Sequence, residues 1–132
     1  MKKSLTRMFL HNLYTIVNTT TLDEETVVTV LLNGDSPVYR AHFPGNPITP
    51  GACLLEMGRE LASAVVKKDL RLEKADNIKF LKAIHPLQTP RVEFRMQVQW
   101  QENGSWKVRT EVMDGDLVMT RMTLWLRETI SA

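Results

Sequence analysis

The chain has 132 residues, 43% of them hydrophobic and 24% charged, and its 17 basic and 15 acidic side chains leave a net charge of +2. That length and apolar content suit one folded domain with a real core and exclude a disordered chain. The charges are balanced and form no basic cluster, so no nucleic-acid partner is expected. Residues 1–10 hold Lys2, Lys3 and Arg7 among scattered apolar residues, with no secretory core segment, and no apolar run is long enough for a membrane span. A cytoplasmic protein is expected, so the glycosylation sequons at Asn18 and Asn103 carry no weight. Cys53 is the single cysteine, which excludes an intrachain disulfide, and it reads as a small buried hydrophobe. His11, His42 and His85 lie too far apart for metal-ligand spacing, and no metal or cofactor is expected.

In chain order, residues 10–20 read as an imperfectly alternating strand and residues 23–25 as a charged turn. Residues 26–32 form a clear β-branched strand ended by Asn33-Gly34-Asp35, so the two strands suit a hairpin. Val38, Tyr39 and Arg40 lead into a stiff loop. Pro44, Pro47 and Pro50 fix φ there, remove donors, and push Phe43, Asn46 and Thr49 towards extended conformations.

Helical periodicity begins at Gly51 and runs to Lys68, with Ala52, Leu54, Leu55, Leu61, Ala62, Val65 and Val66 at apolar positions. Small residues at Ala52, Cys53, Ala62 and Ala64 let a sheet pack closely. Glu56, Gly58, Arg59 and Glu60 interrupt the pattern, and a carboxylate amid apolar neighbours needs a reason. Residues 69–76 read as a charged connection and residues 77–84 as a strand, followed by a loop between Pro86 and Pro90. Residues 91–101 alternate cleanly, Asn103-Gly104 marks a hairpin turn, and Trp106, Val108 and Thr110 continue the alternation. Asp114-Gly115 is a second turn, and residues 117–126 form the last strand. A helix this apolar must be wrapped, so an antiparallel sheet curled round it is the simplest architecture.

The segment His42-Phe43-Pro44-Gly45-Asn46-Pro47, then Pro50-Gly51, then Leu54-Leu55-Glu56, resembles the active-site segment of the hot-dog-fold 3-hydroxyacyl-acyl carrier protein dehydratases. About fifteen residues match in register, from the histidine to a carboxylate five residues after the Pro-Gly. A second stretch, Lys79-Phe80-Leu81-Lys82-Ala83-Ile84-His85-Pro86, is similar to the family's basic-Phe-basic-basic-Pro-Val-x-Pro segment. Leu81 and Ala83 depart from that pattern, and Leu87 stands where the family usually has glycine. Ala41 replaces a common glycine before the histidine. The resemblance implies a single α+β hot-dog domain over residues 1–132, with about six strands round one long central helix.

It also implies dehydration of 3-hydroxyacyl thioesters on acyl carrier protein to trans-2-enoyl thioesters, in fatty acid or related lipid or polyene synthesis. A histidine suits removal of the proton beside the thioester carbonyl, and a carboxyl raised by apolar surroundings suits protonation of the departing hydroxyl. Backbone N–H groups at a helix start suit the developing enolate. His42 is then the base, Glu56 the acid or the orienter of water, and Gly51, with Phe43 and Pro50, the oxyanion and substrate-binding part. The family builds this site across a dimer, so a homodimer or a larger assembly is expected, with no nucleic-acid or membrane partner. Glutamate at position 56 matches the non-isomerising branch, and the slightly short chain suits a specialised member.

Each residue also has a plainer reading. Taken alone, His42 is a loop histidine bonding backbone, and Glu56 a partly solvated carboxylate paired with Arg59 or a lysine. Glu60 stands where the family often has glutamine and reads as pairing with a base or steadying the turn. Lys79 and Lys82 read as a solvated face, His85 as surface, the three tryptophans as sheet and dimer core, and the methionines as adaptable packing. Two other functions compete. One is a thioesterase in which Glu56 activates water, which the full proline-glycine loop argues against. The other is a non-catalytic acyl-thioester-binding module or regulator, for which no preceding DNA-binding segment speaks. Acyl chain length, and carrier protein against coenzyme A, stay open.

Overall fold

Alternation in the sequence becomes the two faces of one sheet. In β4 (Arg91–Trp100), Val92, Phe94 and Met96 are buried while Arg91 and Gln97 face solvent. The same period organises β2 (Glu25–Leu32), whose Val28, Val30 and Leu32 join that core. The computed structural model describes residues 8–42 and 45–129. Residues 1–7, which carry most of the N-terminal reading above, and Phe43 of the expected site lie outside the described residues.

The remaining elements are β1 (Tyr14–Leu22), α1 (Pro37–His42), α2 (Gly51–Val66), β3 (Leu70–Phe80), β5 (Ser105–Asp114) and β6 (Leu117–Glu128). All pairings are antiparallel, in the order β1-β2-β4-β5-β6-β3. Hairpins join β1 to β2, β4 to β5 and β5 to β6; Gly104 and Gly115 supply the positive φ, +87° and +58°, in the last two turns. α2 lies against the concave face and touches β3, β4 and β6. Its Leu54, Met57 and Leu61 meet Phe94, Val108, Leu124 and Leu126 in one core. Gly58 permits this approach, because a Cβ there would come within 2.8 Å of Leu124 and 3.1 Å of Met122. The architecture is the α+β hot-dog arrangement that the resemblance implied.

Four local expectations are corrected. The central helix is not long: it has 16 residues and stops at Val66 rather than Lys68, because Lys67 turns left-handed (φ 63°) and bonds back to Ser63. Residues 69–76 are not a connection but most of β3, which ends at Phe80 instead of running to residue 84. Its charges hid the strand. Arg71 and Arg127 of β6 both pair with Glu73, and Lys74 pairs with Asp76, so the charged side chains match one another on an exposed face. The histidine is not in the loop but closes the short helix α1. The tryptophans fill the core only in part, for half-buried Trp106 packs against it. Trp100 is exposed and meets Trp106 edge to face at 4.4 Å, while Trp125 donates to Asp76 under Lys74 and Lys107.

Buried Met57, Met96, Met119 and Met122 are packing residues, as expected, and Cys53 is a buried hydrophobe. Among the described residues no helix is long and apolar enough to cross a membrane.

Candidate active site

The start of α2 is held by its surroundings rather than by a cap. Pro50 is the N-cap residue (φ −62°, ψ 146°) and offers no side-chain bond. Its carbonyl accepts from the Cys53 and Leu54 N–H groups, at 3.0 and 3.2 Å. Among the described residues, the Gly51 and Ala52 N–H groups have no partner, as expected of a first helical turn. They point out of the helix at its positive end.

The preceding loop is fixed from both sides. The buried Tyr39 hydroxyl bonds the buried Thr49 hydroxyl at 3.0 Å, and the Thr49 N–H donates to the Ile84 carbonyl at 2.8 Å. His85 is half-buried rather than on the surface, with Nδ1 3.2 Å from the Pro47 carbonyl. Beside Gly51 opens a cleft of about 330 Å³, lined mainly by apolar groups of Ile48, Leu54, Phe80, Leu81 and Ile84. A Cβ at position 51 would overlap the Phe80 ring, so glycine is what lets that ring lie on the helix start.

His42 is exposed at the end of α1, its Nδ1 3.0 Å from the Val38 carbonyl. A carbonyl only accepts, so this bond places a hydrogen on Nδ1, and in the neutral ring that makes Nε2 the accepting nitrogen, the tautomer a base needs. The plainer reading, a backbone-bonded histidine, is therefore also observed, and the two are compatible.

Glu56 lies one turn into α2, its side chain 24% exposed. Arg59 grips it with two bonds, Nε at 2.9 Å and Nη2 at 2.7 Å, while Nη1 donates to the Leu70 carbonyl at 2.7 Å. Burial pushes Glu56 up, but bonds from Arg59 and Glu60 and the Arg59 charge outweigh it and hold the carboxyl below its ordinary value. The raised carboxyl expected at Glu56 sits instead one turn later. Glu60 is 1% exposed and accepts from the Phe9 and Leu10 N–H groups (3.2 and 3.1 Å) and the Tyr14 hydroxyl (2.9 Å). Burial, and then the bond and charge of Glu56, push Glu60 up to about 7 against those donors. Among the described residues Glu60 shows no salt bridge of its own, and its bonds join β1 and its approach segment to α2.

Within one chain, His42 and Glu56 share no hydrogen bond or ion pair among the described residues. Pro50 and Gly51 adjoin the cleft, and Lys79 and Lys82 are solvated as expected. The residues that sequence reasoning undervalued are Glu60, Tyr14, Tyr39 and Thr49. Only Glu60 carried a signal, a second carboxyl four positions from Glu56 on the same helix face.

The family model described as ApeI dehydratase, of the ApeI-like family, matches residues 18–120. A 3-hydroxyacyl-[acyl-carrier-protein] dehydratase FabZ of Rhizobium rhizogenes is 33% identical over 95 residues, which cover 66% of this chain and 59% of the relative. The FabZ of Lactobacillus helveticus is 28% identical over 98 residues, covering 69% and 66%. The chain thus spans about three fifths of the length of the curated relatives it matches. Among solved structures, the dehydratase heterocomplex ApeI:P from Xenorhabdus doucetiae superposes with a TM-score of 0.63 at 16% identity, covering 86% of this chain and 96% of that one. A hypothetical thioesterase with coenzyme A from Streptococcus pneumoniae gives 0.62 at 16% identity, covering 88% and 85%. Likeness at that identity speaks for the fold alone. The family match runs through His42, Gly51 and Glu56 and covers most of the chain: this protein belongs to the ApeI-like dehydratase family, among the hot-dog 3-hydroxyacyl-acyl carrier protein dehydratases.

Proposed function

We propose that this protein removes water from 3-hydroxyacyl thioesters carried on the phosphopantetheine arm of an acyl carrier protein, giving trans-2-enoyl thioesters. One observation carries the reading. Gly51, at a helix start without a side-chain cap, lines an apolar cleft within the segment that begins at an exposed His42. The acyl chain lies in the cleft, and the thioester oxygen takes the Gly51 N–H as enolate charge develops. His42 Nε2 removes the proton next to the carbonyl, the carbon–oxygen bond breaks, and the hydroxyl leaves as water with a proton from the carboxyl at position 56. Pro50 shapes the oxyanion end, and Phe43 borders the substrate.

A second chain completes the site. β3 is a sheet edge with exposed Leu72, Ile78 and Phe80, and Phe80 lines the cleft. Pairing there supports a homodimer in which the histidine of one copy faces the carboxyl of the other; a related but different partner chain is the alternative. We place the enzyme in the cytoplasm, in fatty acid or a specialised lipid or polyene synthesis.

Arg59 favours one competing reading, because a carboxylate held ionised also suits activation of water in a thioesterase. Mass spectrometry of a 3-hydroxyacyl carrier-protein thioester after incubation decides. Loss of one water with the thioester intact supports dehydration, free acid supports a thioesterase, and an unchanged but tightly bound thioester supports a binding module.

A further inference from the structure

Arginines that are scattered in the sequence gather on the face of the sheet opposite α2. Alternation turns Arg95 of β4, Arg109 of β5 and Arg121 of β6 outward, since their chain neighbours Met96, Val108 and Met122 are buried in the core. The three strands are adjacent, so the outer two lie about 10 Å apart, a span that long side chains bridge from both sides. Together they line a hollow of about 380 Å³, with Lys79 of β3 on one flank and Glu25 of β2 on the other. Its cations are not neutralised from within. Glu111 stands in register with both Arg95 and Arg121, but its Oε2 accepts from Arg121 Nε at 3.0 Å. Arg95 Nε is buried and has no acceptor among the described residues. Arg109 and Lys79 also have no hydrogen bond or ion pair among them.

A buried donor without an acceptor is costly, and more so on a charged group. Lys79 and the three arginines, against Glu25 and Glu111, leave the hollow a net charge of +2. The matching ligand brings acceptor oxygens to Arg95 and about two negative charges. A phosphate carried on one ester bond has both, with a charge of about −1.5 to −2 at neutral pH and three strong acceptor oxygens. We infer that this hollow binds the dianionic phosphate group of a small molecule, gripped by Arg95, Arg109 and Arg121. The volume falls in the range of small-molecule pockets, about 300–1,000 Å³, so an organic body fits beside the phosphate. Glu25 and Glu111 break the positive field and would repel the successive phosphates of a nucleic acid. The hollow is separate from the cleft. Phe80 and Thr120 line the cleft on one face of the sheet, and their chain neighbours Lys79 and Arg121 line the hollow on the other. A protein inactive as a dehydratase would bind the phosphate all the same.

Calorimetric titration of the full chain with adenosine 5′-monophosphate, inorganic phosphate and adenosine is the test. We expect saturable binding of the nucleotide with a Kd below about 1 mM, weakened by added salt, and no binding of adenosine. Arg95→Gln and Arg109→Gln should each weaken binding about tenfold or more, with normal melting curves. Lys68→Gln, which removes an exposed cation paired with Glu128 away from the hollow, should leave it unchanged. In nitrogen-15 NMR the Arg95 Nε–H resonance should shift on saturation, a change that general attraction to a basic protein would not single out. A nucleotide that binds more tightly than inorganic phosphate would assign the hollow to a phosphorylated small molecule, and equal affinity would assign it to free phosphate; both support a phosphate site. No saturable binding of either anion up to about 10 mM would overturn the inference. So would binding that survives both arginine substitutions, that Lys68→Gln weakens as much, or that adenosine matches.

Discussion

Two adjoining parts of α2 treat their polar groups in opposite ways. At the first turn, the Gly51 and Ala52 N–H groups have no partner among the described residues, Gly51 lines an apolar cleft, and His42 before it is exposed. One turn later, Glu56, Arg59 and Glu60 are tied to one another, to Leu70, and to Tyr14, Phe9 and Leu10. An unpaired polar group tolerated at the surface is available to substrate; a buried one is costly unless bonded, so it must work through its partners. The first turn therefore leaves groups open to a ligand, while the second spends its groups on holding β1 and β3 to α2.

The contrast can be broken most sharply at His42. His42→Ala should lower kcat by on the order of 10²–10⁴ while leaving stability within about 0.5 kcal/mol, as for an exposed side chain. A clear drop in melting temperature would move His42 to the structural side. Arg59→Ala should do the reverse, costing about 3 kcal/mol in urea unfolding, because Glu56 loses its counter-charge and the Leu70 carbonyl its donor. A cost under about 1 kcal/mol would mean the Arg59–Glu56 pair is in effect a solvated one.

Stability against pH tests the same network. Folded Glu60 keeps its proton from the ordinary value of 4.5 up to about 7, where the unfolded chain has released it. Its contribution is therefore complete below 4.5 and is lost as pH rises through about 7. Glu56, held low, has the opposite sense, its contribution present above 4.5 and lost as pH falls through its lowered value. Melting temperature should thus fall on approaching neutrality from the acid side, and Glu60→Gln should flatten that fall. An equal slope in both proteins would place the titrating group elsewhere.

Smaller effects sharpen the first turn. Gly51→Ala sets a methyl against the Phe80 ring, but that ring is half exposed and can move, so the stability cost should stay below about 1.5 kcal/mol. Activity should drop more than stability, and Phe80→Ala in the same chain should restore part of it. Tyr39→Phe removes the bond to Thr49 and should cost about 1 kcal/mol, read from chemical unfolding.

The first turn was legible in the sequence because its parts are local. Prolines fix φ, glycine admits close approach, and helical periodicity begins at Gly51, so a stretch of about fifteen residues spells out the segment. The carboxylate network was hidden because its partners are far apart in the chain. Phe9, Leu10 and Tyr14 reach Glu60 across separations of 51, 50 and 46 residues, and no periodicity encodes such a meeting. β3 was misread for a related reason. Its charges suggest a connection until Arg127, 54 residues away, is seen opposite Glu73. The helix stop at Lys67 was missed because a lysine in a left-handed turn has no local signature, unlike the glycine usual there.

By itself the sequence determined the α+β class, the strand–helix–strand order, the turns at Asn103-Gly104 and Asp114-Gly115, and the candidacy of His42, Gly51 and Glu56. Each of these depends on backbone preference or on side chains within one turn or strand. Only the tertiary structure decided that β3 lies beside β6, that Phe80 covers Gly51, and that Glu60 rather than Glu56 is the carboxyl pushed towards neutrality. Those outcomes depend on burial and on charges brought together from distant parts of the chain, and the local order of residues does not specify them.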